Sequence, residues 1–199
     1  MPACCALIWV EQFVLDKLSS NSFIMKLEIE NGLELIPLDP SSSEVYFKAI
    51  HEKKDYSDEF RILQQKKYPT LELLNARIED AVHVKFKKDG TPDFAIMVRN
   101  KFAGIFEFHP LSHEDFVEVG FWLFKDFRRK GIMAKIFPHM VIFARENFRK
   151  NKMMATTPLG NVAAQHLLLK IGFKKATALI QVDHGGGKME KENVFFFPL

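Results

Sequence analysis

Phe127-Arg128-Arg129-Lys130-Gly131-Ile132-Met133-Ala134 decides the reading of this chain, because it joins a strand-like run to a helix-like run. The preceding stretch Phe116 to Phe124 is apolar with a strand's alternation. The following one places Ile132, Ile136, Met140 and Phe143 on a single helical stripe over 130–149. A short basic turn with one glycine at a helix start is suited to hold an anion. The first backbone N–H groups of a helix have no intrahelical partner, and aligned peptide dipoles concentrate partial positive charge there.

Outward from that turn, the elements alternate. Leu27 to Glu30 and Leu33 to Ile36 flank Asn31-Gly32, a signal for an N-terminal hairpin or bent strand. Ser41-Ser42-Ser43 offers a cap for a helix over Glu44 to Lys54. Leu71, Leu74, Ile78, Ala81 and Val82 recur at helical spacing, so helices are expected through 41–87, broken at Pro69 and ended by the Asp89-Gly90-Thr91-Pro92 turn. Three strands in a meander should follow: Phe94 to Val98, Ala103 to Phe108 after a turn at Asn100-Lys101, and Phe116 to Phe124. Beyond the central helix come a strand at 153–157 and a helix from Asn161 to Ile171, an order that calls for a crossover and a parallel pairing. Thr177 to Asp183 and Asn193 to Phe197 close the chain as a hairpin around His184-Gly185-Gly186-Gly187. Pro138 lies about two turns inside the central helix, so a kink is expected between Ala134 and Pro138.

Composition bounds the function. With 199 residues, 47% of them apolar, the chain can bury one core and is read as one domain. A net charge of +3 is too small, and Lys66-Lys67, Lys87-Lys88 and Lys174-Lys175 too scattered, for a nucleic-acid binder. Cys4 and Cys5 are the only cysteines, which leaves no disulfide framework or four-ligand metal site and fits a reducing, cytoplasmic setting. The apolar run Ala3 to Leu15 is too short to span a bilayer and has no basic residue before it, so no signal peptide or membrane anchor is expected. Residues 1–24 read as an extension or a mis-called start, with the domain proper at 25–199.

Four segments, taken in order, resemble the GNAT N-acetyltransferases: Glu118-Val119-Gly120-Phe121-Trp122-Leu123, Arg128-Arg129-Lys130-Gly131-Ile132-Met133-Ala134, Asn161-Val162-Ala163-Ala164 and Lys170-Ile171-Gly172-Phe173. The branch most resembled is that of the RimJ/RimL-type ribosomal-protein N-terminal acetyltransferases, over roughly residues 26–197. The resemblance implies an α/β (α+β) fold, with a mixed, mostly antiparallel sheet of six to seven strands and helices on both faces. It also implies acetyl-CoA as co-substrate, no metal, and a monomer or homodimer. In that family the amides of the basic turn cradle the pyrophosphate; Arg128 and Gly131 match its pattern, whereas Met133 stands where glycine or alanine is commoner. The main chain of Phe121, Trp122 and Leu123 would pair with the pantetheine arm, an N–H near Phe121 would face the thioester oxygen, and Asn161 would bond the arm.

Acyl transfer to an amine requires a base, an oxyanion donor and an outlet for the thiolate. Glu118, at the strand that would flank the thioester, is the candidate base. An α-amino group, with a pKa of about 7.7–8.0 against about 10.4 for lysine, needs only a modest base. The acid is missing: relatives carry serine three residues after the asparagine, where this chain has Ala164, and no tyrosine follows Tyr68. Ala164 reads as core with Leu167, Leu168 and Ile171, and His166 and His139 are the nearest ionisable substitutes. The expected function is transfer of acetyl to a primary amine, a protein N-terminus or a small molecule such as a polyamine or aminoglycoside. The alternative is a GNAT-like module that binds acyl-CoA with little turnover. A P-loop is excluded by the absence of a Gly-Lys-Ser/Thr ending.

Overall fold

The computed structural model describes residues 26–52, 59–80, 93–109, 114–183 and 189–199. The extension 1–24, the Asp89 to Pro92 turn, Ala81 and Val82, and the His184 to Gly187 connection fall outside them. Asn31-Gly32 folds the chain back, with Gly32 at φ +77°, so β1 (Leu27–Glu30) and β2 (Leu33–Pro37) form a true hairpin. Among the described residues the strand count therefore rises to eight, one above the expected range, in the order β1-β2-β3-β4-β5-β6-β8-β7.

The cap of the first helix is not the serine run. Asp39 accepts from the backbone N–H groups of Ser41 and Ser42 at 2.9 and 3.2 Å, and Ser42 Oγ accepts from the Asp39 N–H at 3.2 Å. This capping box starts a 3-10 turn at Pro40–Ser42 that feeds α1 (Ser43–His51), because Pro40 is preset for the first helical position. Helices α2 (Glu59–Lys67) and α3 (Leu71–Asp80) are separated at Pro69 as expected.

The meander forms as β3 (Phe94–Val98), β4 (Lys101–His109) and β5 (Phe116–Leu123). Its first turn lies one residue earlier than expected, with Arg99 and Asn100 at φ +48° and +61°. Helix α4 (Ile132–Asn147) is shorter than 130–149, since Arg129 at φ +62° and Gly131 at φ +74° hold the turn outside helical geometry. It runs on through Pro138, which is exposed, so water can reach the Ala134 carbonyl that loses its partner. Strand β6 (Lys152–Pro158) then pairs parallel with β5, and α5 (Val162–Lys170) leads into the antiparallel hairpin of β7 (Lys174–Asp183) and β8 (Met189–Pro198).

Helices cover both faces. On one face α4 packs Ile136, Met140 and Phe143 against Phe94, Phe106, Phe108, Val117 and Phe195. On the other, Tyr46, Ile50, Leu74 and Ile78 of α1 and α3 cover Ala95, Met97, Phe102 and Ile105. Side chains alternate along β5: Val117, Val119 and Leu123 enter the α4 face, and Trp122 the α1 face. Phenylalanine-rich composition is thereby used as packing, with Phe108 within 5.1 to 6.5 Å of the rings of Phe106, Phe148, Phe143 and Phe94.

Candidate active site

Strands β5 and β6 are joined by only three residue pairs, Phe116 with Lys152, Val117 with Met153 and Glu118 with Met154. Past that point β5 stays paired to β4 as far as Leu123 and β6 stays paired to β8 as far as Pro158, but not to each other. The central sheet therefore opens into a cleft whose apex is Glu118. One wall is the backbone of Val119 to Leu123, a strand edge able to accept an extended ligand as though it were another strand.

The far end of this wall meets the basic turn. A 3-10 turn at Lys125–Phe127 leads into it, and Arg128 Nε donates to the Leu123 carbonyl at 2.8 Å, fastening the turn to the end of β5. Lys130 stands over the Phe127 ring at 5.8 Å. Gly131 caps α4 without a side-chain hydrogen bond, and a Cβ built on it would meet nothing within 4 Å. The helix thus begins with N–H groups of Ile132, Met133 and Ala134, free of any side-chain cap, beside three exposed cations, Arg128, Arg129 and Lys130. The side chains of Ile132 and Met133 are buried in the core, so whatever binds here meets their main chain. That explains why methionine is acceptable at 133. The arrangement fits an anion such as a pyrophosphate.

Phe121 and Trp122 are half-buried. Phe121 stacks on Phe106 at 5.9 Å, and Trp122 lies 5.1 to 6.1 Å from Phe124, Tyr46 and Phe102. Their rings anchor the wall; the Trp122 carbonyl lies against Gly104 of β4, so of these two residues it is Phe121 whose main chain is left to the cleft. Asn161 divides its side chain: Oδ1 accepts from the Ala164 N–H at 3.2 Å and caps α5, leaving the amide NH2 as its donor for a ligand.

Ala164 corrects the sequence expectation. It is half-buried, as are Leu167 and Ile171, and Leu168 alone of that stripe is fully buried. Helix α5 flanks the open cleft, so its stripe has less sheet to cover. The two histidines considered as acids stand apart: His166 is exposed on α5, and His139 lies on α4, where partial burial lowers its pKa. The Tyr46 hydroxyl donates to Gln64 Oε1 at 3.2 Å; burial first, then Tyr68 and Glu107, push its pKa far up and keep it protonated.

Sequence reading missed two strand residues beside Glu118. His109 of β4 is directly opposite Glu118, and Glu107 directly opposite Gly120. The alternation of β4 and β5 sets all four positions on the α1 face, where Glu107 Oε2 and His109 Nε2 are 3.8 Å apart. The signal was the apolar-polar alternation of Phe106 to His109 opposite a Glu-x-Gly pattern, but strand pairing is needed to bring them together. Glu192 of β8, only 1% exposed, is a further carboxylate that sequence reasoning passed over.

Two cavities adjoin the basic turn. One of about 700 Å³ is lined by Lys48, Arg61, Lys101 and Lys130 with Glu52 and Asp126, and one of about 440 Å³ by Arg99, Lys101, Lys130 and Lys135 with Glu30. Both are net basic. Among the described residues no group of metal-ligating side chains occurs, and no helix is long and apolar enough to cross a membrane.

The comparisons with known proteins give the family and the fold. The acetyltransferase (GNAT) domain family matches residues 33–174. No curated protein sequence matches the chain. Among solved structures, the fold is similar to an acetyltransferase from Salmonella typhimurium that modifies the N-terminal serine of 50S ribosomal subunit protein L7/L12, with TM-score 0.70 and 16% identity over 88% of this chain and 99% of that one. It is similar to the microcin C7 self-immunity acetyltransferase in complex with acetyl-CoA and AMP, with TM-score 0.71 and 16% identity over 87% and 96%. A third is a putative ribosomal-protein-serine acetyltransferase from Vibrio cholerae, with TM-score 0.69 and 15% identity over 88% and 98%. With its family matched over most of its length, the chain belongs to the GNAT acetyltransferases and is an acyltransferase by family.

Proposed function

We propose that the protein transfers the acetyl group of acetyl-CoA to a primary amine, with a protein N-terminal α-amine as the acceptor. The observation that carries this reading is the parting of β5 from β6 at Glu118, with the uncapped start of α4 at the other end of the same wall. The turn at Arg128 to Ala134 would hold the pyrophosphate, the main chain of Phe121 and Leu123 the pantetheine arm, and the Asn161 amide would add a donor. Acetyl-CoA supplies an activated acyl group. A backbone N–H near Phe121 would stabilise the oxyanion formed when the amine attacks, and Glu118 at the apex would draw off the amine's proton.

Charge supports the choice of acceptor. A polyamine or aminoglycoside calls for a strongly acidic pocket, and in the lining of both cavities near the turn lysine and arginine outnumber glutamate and aspartate. The relatives that acetylate a ribosomal protein's N-terminal serine share the fold, which makes a protein acceptor the first to try. The test is release of CoA thiol from acetyl-CoA with a panel of free-N-terminal peptides, N-blocked lysine peptides, polyamines and aminoglycosides. Release with free-N-terminal peptides is expected. Release with small amines alone would overturn the acceptor assignment. Tight acetyl-CoA binding without turnover on any amine would make the protein the binding module that Ala164 in place of serine suggests. Glu118→Gln should slow the reaction by about 100-fold, as loss of a general base does; an unchanged rate removes Glu118 from the chemistry.

A further inference from the structure

We infer that His109 serves the proton path of this site, accepting the acceptor amine's proton through Glu118, and that Glu107 holds its imidazole for that task. The inference rests on the acetyltransferase reading above and extends it to residues that the four sequence segments do not contain.

Register brings the groups together. His109 and Glu118 face each other across the antiparallel β4–β5 pair, where opposite side chains have Cβ atoms about 4.5–5.5 Å apart. Glu118 is also the last residue of β5 paired to β6, so His109 stands one strand behind the apex of the cleft, on the same face of the sheet as Glu118. Opposite Glu107 the chain has Gly120. A Cβ built on Gly120 would come within 3.1 Å of Glu107 Oε2 and 3.8 Å of His109 Nε2, so the two side chains lean over the space that the glycine leaves. Their side chains are 43% and 32% exposed for His109 and Glu107, neither sealed in the core nor fully solvated. A Cβ at 120 would make Glu107 Oε2 give by a few tenths of an ångström and would leave His109 in ordinary contact.

Chemistry suits the placement. An imidazole exchanges protons near neutral pH, and a carboxylate 3.8 Å from its Nε2 steadies the positive charge that appears when it takes one. In the step assigned here the amine nitrogen attacks the thioester carbonyl carbon. The C–N bond forms, the C–S bond breaks with its electron pair left on sulfur, and the amine's proton passes through Glu118 to His109. Solvent protonates the departing thiolate, which accords with Ala164 offering no acid.

Steady-state kinetics on the full chain tests this. His109→Gln should lower kcat by about 100-fold, the usual scale for a lost general base, while leaving the acceptor KM within about twofold and acetyl-CoA affinity unchanged. The acid limb of the kcat–pH profile should change shape in that variant. Glu107→Gln should lower kcat by less, and Gly120→Ala, which meets only the flexible end of Glu107, should fold and yet slow turnover. The His109→Gln, Glu118→Gln double variant should be no slower than the slower single one, since both stand on one proton path. A His109→Gln enzyme within threefold of the parent kcat overturns this inference and leaves the proposed function standing. A parent that turns over no amine overturns both.

Discussion

Two glycines illustrate how much individual residues decide. Gly131 is held at φ +74° with open space around its missing Cβ, so alanine there is strained without being crowded. Gly131→Ala should cost about 1–2 kcal/mol of stability, the penalty of left-handed geometry for a side chain, read as a lowered midpoint in urea unfolding. Gly104 is the reverse case. A Cβ on it would fall 2.0 Å from the Trp122 carbonyl oxygen, and backbone cannot step aside as a side chain can. Gly104→Ala should therefore force β4 and β5 apart and destabilise by more than 3 kcal/mol, visible as loss of cooperative unfolding or of soluble protein. Gly131 announced itself in sequence through its basic neighbours. Gly104 did not, because its constraint comes from a strand that is distant until the sheet forms.

At the scale of elements, α4 carries two testable departures from an ideal helix. Pro138 removes the hydrogen bond that the Ala134 carbonyl would accept, yet faces solvent. Pro138→Ala should raise stability by about 1–3 kcal/mol, less whatever the proline contributes by stiffening the unfolded chain; differential scanning calorimetry reads the result. One residue on, partial burial of His139 lowers its pKa from the ordinary value of 6.5. The unfolded chain then takes up that proton first as pH falls. The native state keeps its full advantage above about pH 6.5 and loses part of it as pH drops below that value. His139→Gln should flatten this part of the stability-pH curve. Element type was legible wherever periodicity was long, as in α4 and the meander. Caps and turns were less so: Pro40 moved the cap from the serine run to Asp39, and left-handed Arg99 and Asn100 moved a turn by one residue.

Across the whole molecule, the two hydrophobic faces of one sheet give ten of the chain's 20 phenylalanines a buried place among the described residues. Phe108 is fully buried amid four other rings, so Phe108→Ala should cost about 3–5 kcal/mol in denaturant unfolding. The candidate anion turn, the candidate cleft wall and Asn161 could be proposed from the sequence because each is a contiguous segment. The grouping of Glu107, His109 and Gly120 around Glu118 was not, since it is made by cross-strand register alone.

The parting of β5 from β6 also bears on how the protein moves. The first five strands and the last three meet at a seam of three residue pairs, supplemented by the packing of α4 beneath them. A ligand that spans this seam adds cross-strand pairing that the free protein lacks there. Amide hydrogens facing the cleft along Val119 to Leu123 should exchange quickly in the free protein and slowly once an extended ligand lies between the strands. The same ligand, at one hundred times its dissociation constant, should add about 2.7 kcal/mol to global stability. The place where the sheet fails to close is thus where a ligand can complete its pairing.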